Sequence, residues 1–484
     1  MNNVVFVLVA MLFLLSLSSI AGLIHVVKAD GGTITINADG SITPSTAPIY
    51  TADNVTYTLT GNISLTGINA SIVIERDDIV LDGAGYTVTG NGVGVGISLT
   101  SMSNITVGNI TITNFATGIW LYSSDNNTLS GNNAADNQYG IYFDSSSNNV
   151  LSGNNVTANN NEGIYLVTSL NCALSGNTAA NNEMGIELDS SSNNTVSGNN
   201  LTANNVYGIL LDSSSNDTLS GNNVTNNRDG IDLMYSSDNT LSGNNVTVSN
   251  DYGIWLYSSD NNTLSGNNAA NNYDGVNLEL SSGNTLSGNN IIANNDGGIV
   301  LGYSDNNTLS GNNATNSDYG IFLHISSNCT LSGNNVANDG GGIELNYSDN
   351  NTLSDNIVTA NNDSGIYLNS SSNNFILHNN FVNNTIQVIP DGLANIWDNG
   401  SVGNYWSDYL TRYPNATQVG ISGVWNTPYV IDANNTDYYP LMAPYSTIPE
   451  FSSFLILPLF LIATLLAVII YKKKDVRTRK SSCA

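Results

Sequence analysis

GIWLYSSDNNTLSGNN, from Gly253 to Asn268, is the stretch whose reading decides how this chain folds. Close copies recur, each opening on a Gly followed by an aliphatic residue: Gly118, Gly140, Gly163, Gly185, Gly208, Gly230, Gly253, Gly275, Gly298, Gly320, Gly342 and Gly365. The spacing alternates between 22 and 23 residues with one exception, and Gly96 extends the series one step earlier. Within a unit, positions one and three after the Gly are apolar (Ile254, Leu256) and the residue between them varies, which is the period of a strand. Positions eleven and sixteen after the Gly are apolar again (Leu264, Ala269). Three strands this short cannot bury their own apolar residues, but stacked copies can. The chain is therefore expected to be all-β, a right-handed parallel β-helix of about thirteen turns. At about 4.8 Å per turn the rod is about 60 Å long.

Asn accounts for 82 of the 484 residues, and much of it falls into columns. Fourteen after the Gly is Asn in all twelve units, from Asn132 to Asn379, and a second column lies nine after it. Stacked Asn side chains can bond to the backbone of neighbouring turns, and Asn tolerates the left-handed conformation of tight corners. Cys172 and Cys329 occupy the second column seven turns apart, beyond disulfide reach, and read as ladder substitutes.

Composition excludes a nucleic-acid binder, since 10 Lys and Arg face 38 Asp and Glu. Between Ala29 and Pro449 the basic residues are Arg76, Arg228 and Arg412, against 36 acids, a net charge of 3 minus 36, or −33. The ends differ. Residues 1–29 read as a signal peptide, with Val27-Lys28-Ala29 as cleavage pattern. An apolar run within 449–471 is long enough for a membrane helix, and the basic tail 472–484 is expected to stay cytoplasmic. Between them lie an N-terminal cap (30–70), the repeats (71–384) and an aromatic-rich C-terminal cap (385–448). The expectation is a body outside the cell, held by its C-terminus. The 24 Asn-x-Ser/Thr sequons, Asn54, Asn104, Asn126, Asn155, Asn200, Asn313 and Asn415 among them, make glycosylation of exposed sites possible.

Ile72–Gly90, IVIERDDIVLDGAGYTVTG, and the later NNTLSGNN units resemble the NosD-like, pectin-lyase-like right-handed β-helix family. Gly403–Tyr409 (GNYWSDY), Thr427–Asp432 (TPYVID) and Tyr438–Met442 (YYPLM) resemble the ending of many archaeal surface proteins of this kind, and Pro449-Glu450-Phe451 resembles a PEF-CTERM sorting signal. The resemblance implies architecture firmly. For function it leaves open a lyase or hydrolase of polysaccharides, an adhesin, or a copper-enzyme accessory factor. Copper asks for converging His, Cys or Met, whereas His324 and His378 lie in different columns, as do Met184 and Met234, so no copper site is expected.

Two sets of outward residues carry the functional expectations. Two after the Gly stand Trp120, Tyr142, Tyr165, Trp255, Phe322 and Tyr367, aromatics that can stack on sugar rings. Acids gather on the same face: Glu187, Asp189, Asp212 and Asp232, with Arg228 nearby. These are the candidates for acid–base catalysis on a polysaccharide, and Glu187, Asp189 and Asp212 for weak Ca²⁺ binding. The favoured expectation is a structural or adhesive protein that contacts cell-envelope or extracellular polysaccharide; the rival is a polysaccharide lyase or glycoside hydrolase.

Overall fold

A computed structural model describes residues 26–28 and 32–445. The expected signal peptide lies almost wholly outside the described residues, and the membrane helix and basic tail wholly so. Among the described residues no helix is long and apolar enough to cross a membrane.

The chain winds as a parallel β-helix with three sheets running its length. In one turn they hold Tyr252–Tyr257, Thr263–Ser265 and Asn268–Ala270; they are called here the Gly, Leu and Asn sheets. Each strand pairs in parallel with its counterpart one turn away, as Ile254 does with Val276 and Leu264 with Leu286. The Gly sheet contains sixteen stacked strands, so the solenoid has about sixteen turns rather than thirteen. The extra turns come from Thr33–Ile36, Ser71–Ile74 and Ile386–Ile389, whose strands lack the Gly-aliphatic signature. The interior is a continuous apolar column to which every turn contributes the same positions, such as Ile254, Leu256, Leu264 and Ala269.

The Gly at the head of each turn is a packing requirement. A Cβ at Gly230 would lie 2.2 Å from Val246 Cγ1 and 2.3 Å from the Gly253 carbonyl oxygen. A different need explains the Gly thirteen residues later, which turns a corner at φ near +60°, as Gly243 does.

From Gly118 to Gly365 each turn has four such left-handed corners, and each corner is followed by a buried residue that is polar except at Cys172 and Cys329. The buried columns lie six, nine, fourteen and nineteen after the Gly, as in Ser259, Asn262, Asn267 and Asn272. Corner backbone cannot join a strand ladder, so side chains complete its bonding. Asn267 Oδ1 accepts from the Asn244 backbone N–H at 3.0 Å and from its Nδ2 at 3.0 Å, while Asn267 Nδ2 donates to the Leu241 carbonyl at 3.0 Å. This ladder runs unbroken from Asn132 through Asn379 to Asn404. The columns at six (Ser) and nineteen (mostly Asn) were not read from the sequence.

Cys172 and Cys329 stand in the ladder at position nine, buried, their Sγ atoms within reach of the Ser146 and Ser304 carbonyls at 3.5 and 3.4 Å. Burial pushes both thiols up to about 11. In a Cys483→Ser background, native protein is therefore expected to resist a thiol-specific reagent for hours and to react at both sites once unfolded. Rapid labelling of the native protein would contradict the ladder assignment.

At the C-terminal end Trp397, Trp406, Tyr409 and Tyr429 are buried over the last turn. Trp406 lies between Phe381 (4.6 Å) and Tyr429 (4.2 Å), and its Nε1 donates to buried Asp437 at 2.9 Å.

Candidate functional site

The outer face of the Gly sheet gathers the side chains with chemical potential. The residues two after each Gly form one straight register column: Trp120, Tyr142, Tyr165, Glu187, Leu210, Asp232, Trp255, Asn277, Val300, Phe322, Glu344 and Tyr367. All six aromatics named from the sequence are in it, so strand pairing alone puts them in line.

They gather into groups. Tyr142 and Tyr165 stack at 5.1 Å, and Tyr139, one before its Gly, stacks on Tyr142 at 5.7 Å. Trp255 stacks on Tyr252 at 5.0 Å and Phe322 on Tyr319 at 5.7 Å. Trp120 contacts Tyr122 at 5.7 Å. The six column rings are half-buried, and where they stack they are held in place, so a ligand recruits them at little entropic cost.

The acids separate into two environments. Glu187, Asp189 and Asp212 lie together: Asp189 pairs in register with Asp212, and Glu187 is two residues from Asp189. Glu187 is pushed up to about 8, first by burial and then by the neighbouring charge of Glu162. Burial also raises Glu162. Two carboxyls this close and this dry hold a proton near neutral pH. Glu162 sits one before Gly163, a position read from the sequence for its tyrosines but not for acids.

Asp232 is a correction. Periodicity points it outward, yet it is wholly buried and neither carboxylate oxygen has a hydrogen-bond partner. It lies in register between Leu210 and Trp255, which with their neighbours close over it. Burial, reinforced by Asp229, raises its carboxyl well above the ordinary value. Arg228 does not bond to it: the guanidinium donates to Asp229 (2.9 Å), approaches Asp251 (3.7 Å) and lies over the Tyr207 ring (5.6 Å). The four candidate acids with Arg228 therefore do not form one reaction centre. A wholly buried Asp232 has no route to a substrate proton.

Among the described residues no three His, Cys, Asp or Glu side chains converge to hold an ion. Asp189 and Asp212 each accept from the following serine, at 2.8 and 2.9 Å, and Glu187 tends to neutrality, which leaves little for Ca²⁺. For copper, both ladder thiols are buried at the corners. His324 lies among Tyr303, Phe322 and Tyr347, while His378 stacks on Tyr445 at 4.0 Å two turns away. These donors do not fit a copper centre.

The family model described as periplasmic copper-binding protein (NosD) matches residues 27–215 and 273–411, and that described as right handed beta helix region matches 171–314. No curated protein matches the chain. Among solved structures, the periplasmic alginate epimerase AlgG is 14% identical, with 68% of this chain and 84% of that chain covered and a TM-score of 0.37. The mannuronan C-5 epimerase AlgE4 A-module of Azotobacter vinelandii is 15% identical, with 69% and 90% covered and a TM-score of 0.35. Tailspike protein 2 of the Escherichia coli O157:H7 bacteriophage CAB120 is 14% identical, with 54% and 43% covered and a TM-score of 0.39. Overlays this loose transfer no residue role to this chain.

Proposed function

The chain belongs to the NosD family of right-handed β-helix proteins, and from that premise we propose that it is a carbohydrate-contacting scaffold. Its Gly sheet carries the glycan, and it is exported and tethered through residues 449–471. The observation that carries this reading is the register column of aromatics, ordered into stacked groups along one face. Half-buried rings held in groups along the rod offer ordered apolar surface to a pyranose chain, with carboxyl and amide groups beside them to bond sugar hydroxyls. Copper is left out of this proposal, because among the described residues no three His, Cys, Asp or Glu side chains converge.

Affinity electrophoresis of intact, detergent-solubilised protein through immobilised polysaccharides tests the proposal. The wild type is expected to be retarded. Trp255→Ala, with its unfolding midpoint monitored, is expected to lose about tenfold in affinity, the usual worth of one stacking aromatic. Equal retardation of the variant, or none of the wild type by any polysaccharide, would overturn it.

A further inference from the structure

We propose that the ligand face extends from the aromatic column to the corner that ends each Gly strand, and that the ligand is a neutral glycan. The inference rests on the carbohydrate reading above and names its site and ligand class.

The corner residue, five after the Gly, is left-handed in every turn from Ser123 to Ser370. Six of these are Ser and one is Thr168, but Tyr235, Leu280, Tyr303, Ile325 and Tyr347 occupy the rest, at φ between 49° and 52°. Bulky and β-branched residues are strained in this conformation. Nor does burial compensate them: Tyr235 is 59% exposed, Tyr303 51% and Tyr347 57%. Serine makes the same turn elsewhere in the rod, so the fold does not need these side chains. Strain and exposure repeated along one edge mark a surface kept for contact.

These corners complete two aromatic belts across the outer face. Tyr235 meets Tyr257 edge-on at 5.6 Å, Tyr257 meets Trp255 at 5.6 Å, and Trp255 stacks on Tyr252. Three turns on, Tyr303 and Tyr347 hold His324 edge-on at 5.6 and 6.4 Å, and His324 meets Phe322 at 6.2 Å. The belts lie about 14 Å apart at the strand spacing, within reach of one glycan chain laid along the rod.

Charge selects the glycan. Arg228 is already engaged with Asp229 and Asp251, and neither Arg76 nor Arg412 belongs to these strands. A uronate or sulfated polymer would meet Glu279 and Glu344 without a counter-charge, on a body of strongly negative net charge. The same net charge opposes a second copy or an anionic membrane on this face. Tyrosine rings and amides suit uncharged pyranoses.

The test uses the intact solubilised protein at ~0.15 M salt, with a mannan and a β-glucan as neutral probes and polygalacturonate as the anionic one. The wild type is expected to bind a neutral polymer at least about tenfold more tightly than polygalacturonate. The variant Tyr235→Ser/Tyr303→Ser/Tyr347→Ser is expected to lose that affinity while its unfolding midpoint stays or rises, because serine relieves the corner strain. Preference for polygalacturonate would overturn the ligand class and leave the carbohydrate reading intact. Undiminished neutral binding by the triple variant would overturn the corner site. Binding to no polymer would overturn the carbohydrate reading and this inference together.

Discussion

Asn244→Ala is expected to destabilise the rod by about 3–6 kcal/mol, although it removes only one polar side chain. Four hydrogen bonds go with it. Asn244 Oδ1 accepts from the Asn222 backbone N–H (3.0 Å) and Asn222 Nδ2 (2.9 Å); Asn244 Nδ2 donates to the Leu219 carbonyl (3.0 Å) and to Asn267 Oδ1 (3.0 Å). The site is 1% exposed, so water cannot replace them without opening the corner. The cost is the desolvation of buried groups left without partners. Because each turn contacts only its neighbours, the damage should be local. Hydrogen exchange should lose protection in the turns around residues 219–245 while distant turns keep theirs. Asn250→Ala is the control: it is exposed and should change stability by less than about 0.5 kcal/mol. A similar small effect at Asn244 would mean that the amide ladder does not hold the corners.

Asp217→Asn acts in the opposite direction. Asp217 stands in the ladder at position nine, 1% exposed, where most turns have Asn. Its Oδ1 accepts the Asn194 N–H at 2.6 Å, but Oδ2 has no partner. Burial pushes the carboxyl up to about 7 from an ordinary 3.8. A raised acid in the folded state is protonated there while the unfolded chain has already lost its proton. Its stability contribution is therefore complete below about pH 4 and declines as pH rises to about 7. The difference amounts to about 4 kcal/mol at pH 8. Asp339, buried in the column at nineteen and also pushed up to about 7, adds to the same trend. The wild type should thus be more stable near pH 5 than at pH 8. Asp217→Asn should stabilise at pH 8, gain little at pH 4, and flatten the profile between. Destabilisation at pH 8 would show that this carboxylate is charged and satisfied in the fold.

The parts of this molecule legible in its sequence are those where burial leaves one chemical solution. The interior positions and the Asn at fourteen are such places, since an apolar column and an unpartnered corner amide each admit few residues. The Ser column at six was as regular, but Ser next to a turn resembles any loop. The column at nineteen was obscured by Ser249, Ser317 and Asp339 among its asparagines. The turns at Ile34 and Val388 fell in the expected caps, and the turn at Ile72, inside the expected repeats, went uncounted; none of the three carries the Gly that marks the others.

The site was legible only as direction. Alternation correctly aligned Trp120, Tyr142, Tyr165, Trp255, Phe322 and Tyr367 on one face. It could not reveal that Asp232 is closed over, because that depends on the sizes of residues one turn away. The tyrosines at the left-handed corners were equally hidden: bulk alone does not disclose strain without the backbone angle.

The outer face of the Gly sheet is proposed to carry the ligand. Hydroxyl-radical footprinting of the intact protein, with and without a bound neutral glycan, measures this directly. Protection is predicted at Tyr235, Trp255, Tyr257, Tyr303, Phe322 and Tyr347. Protection confined to the exposed cap residues Tyr438 and Tyr439, or to the Leu sheet, would contradict it.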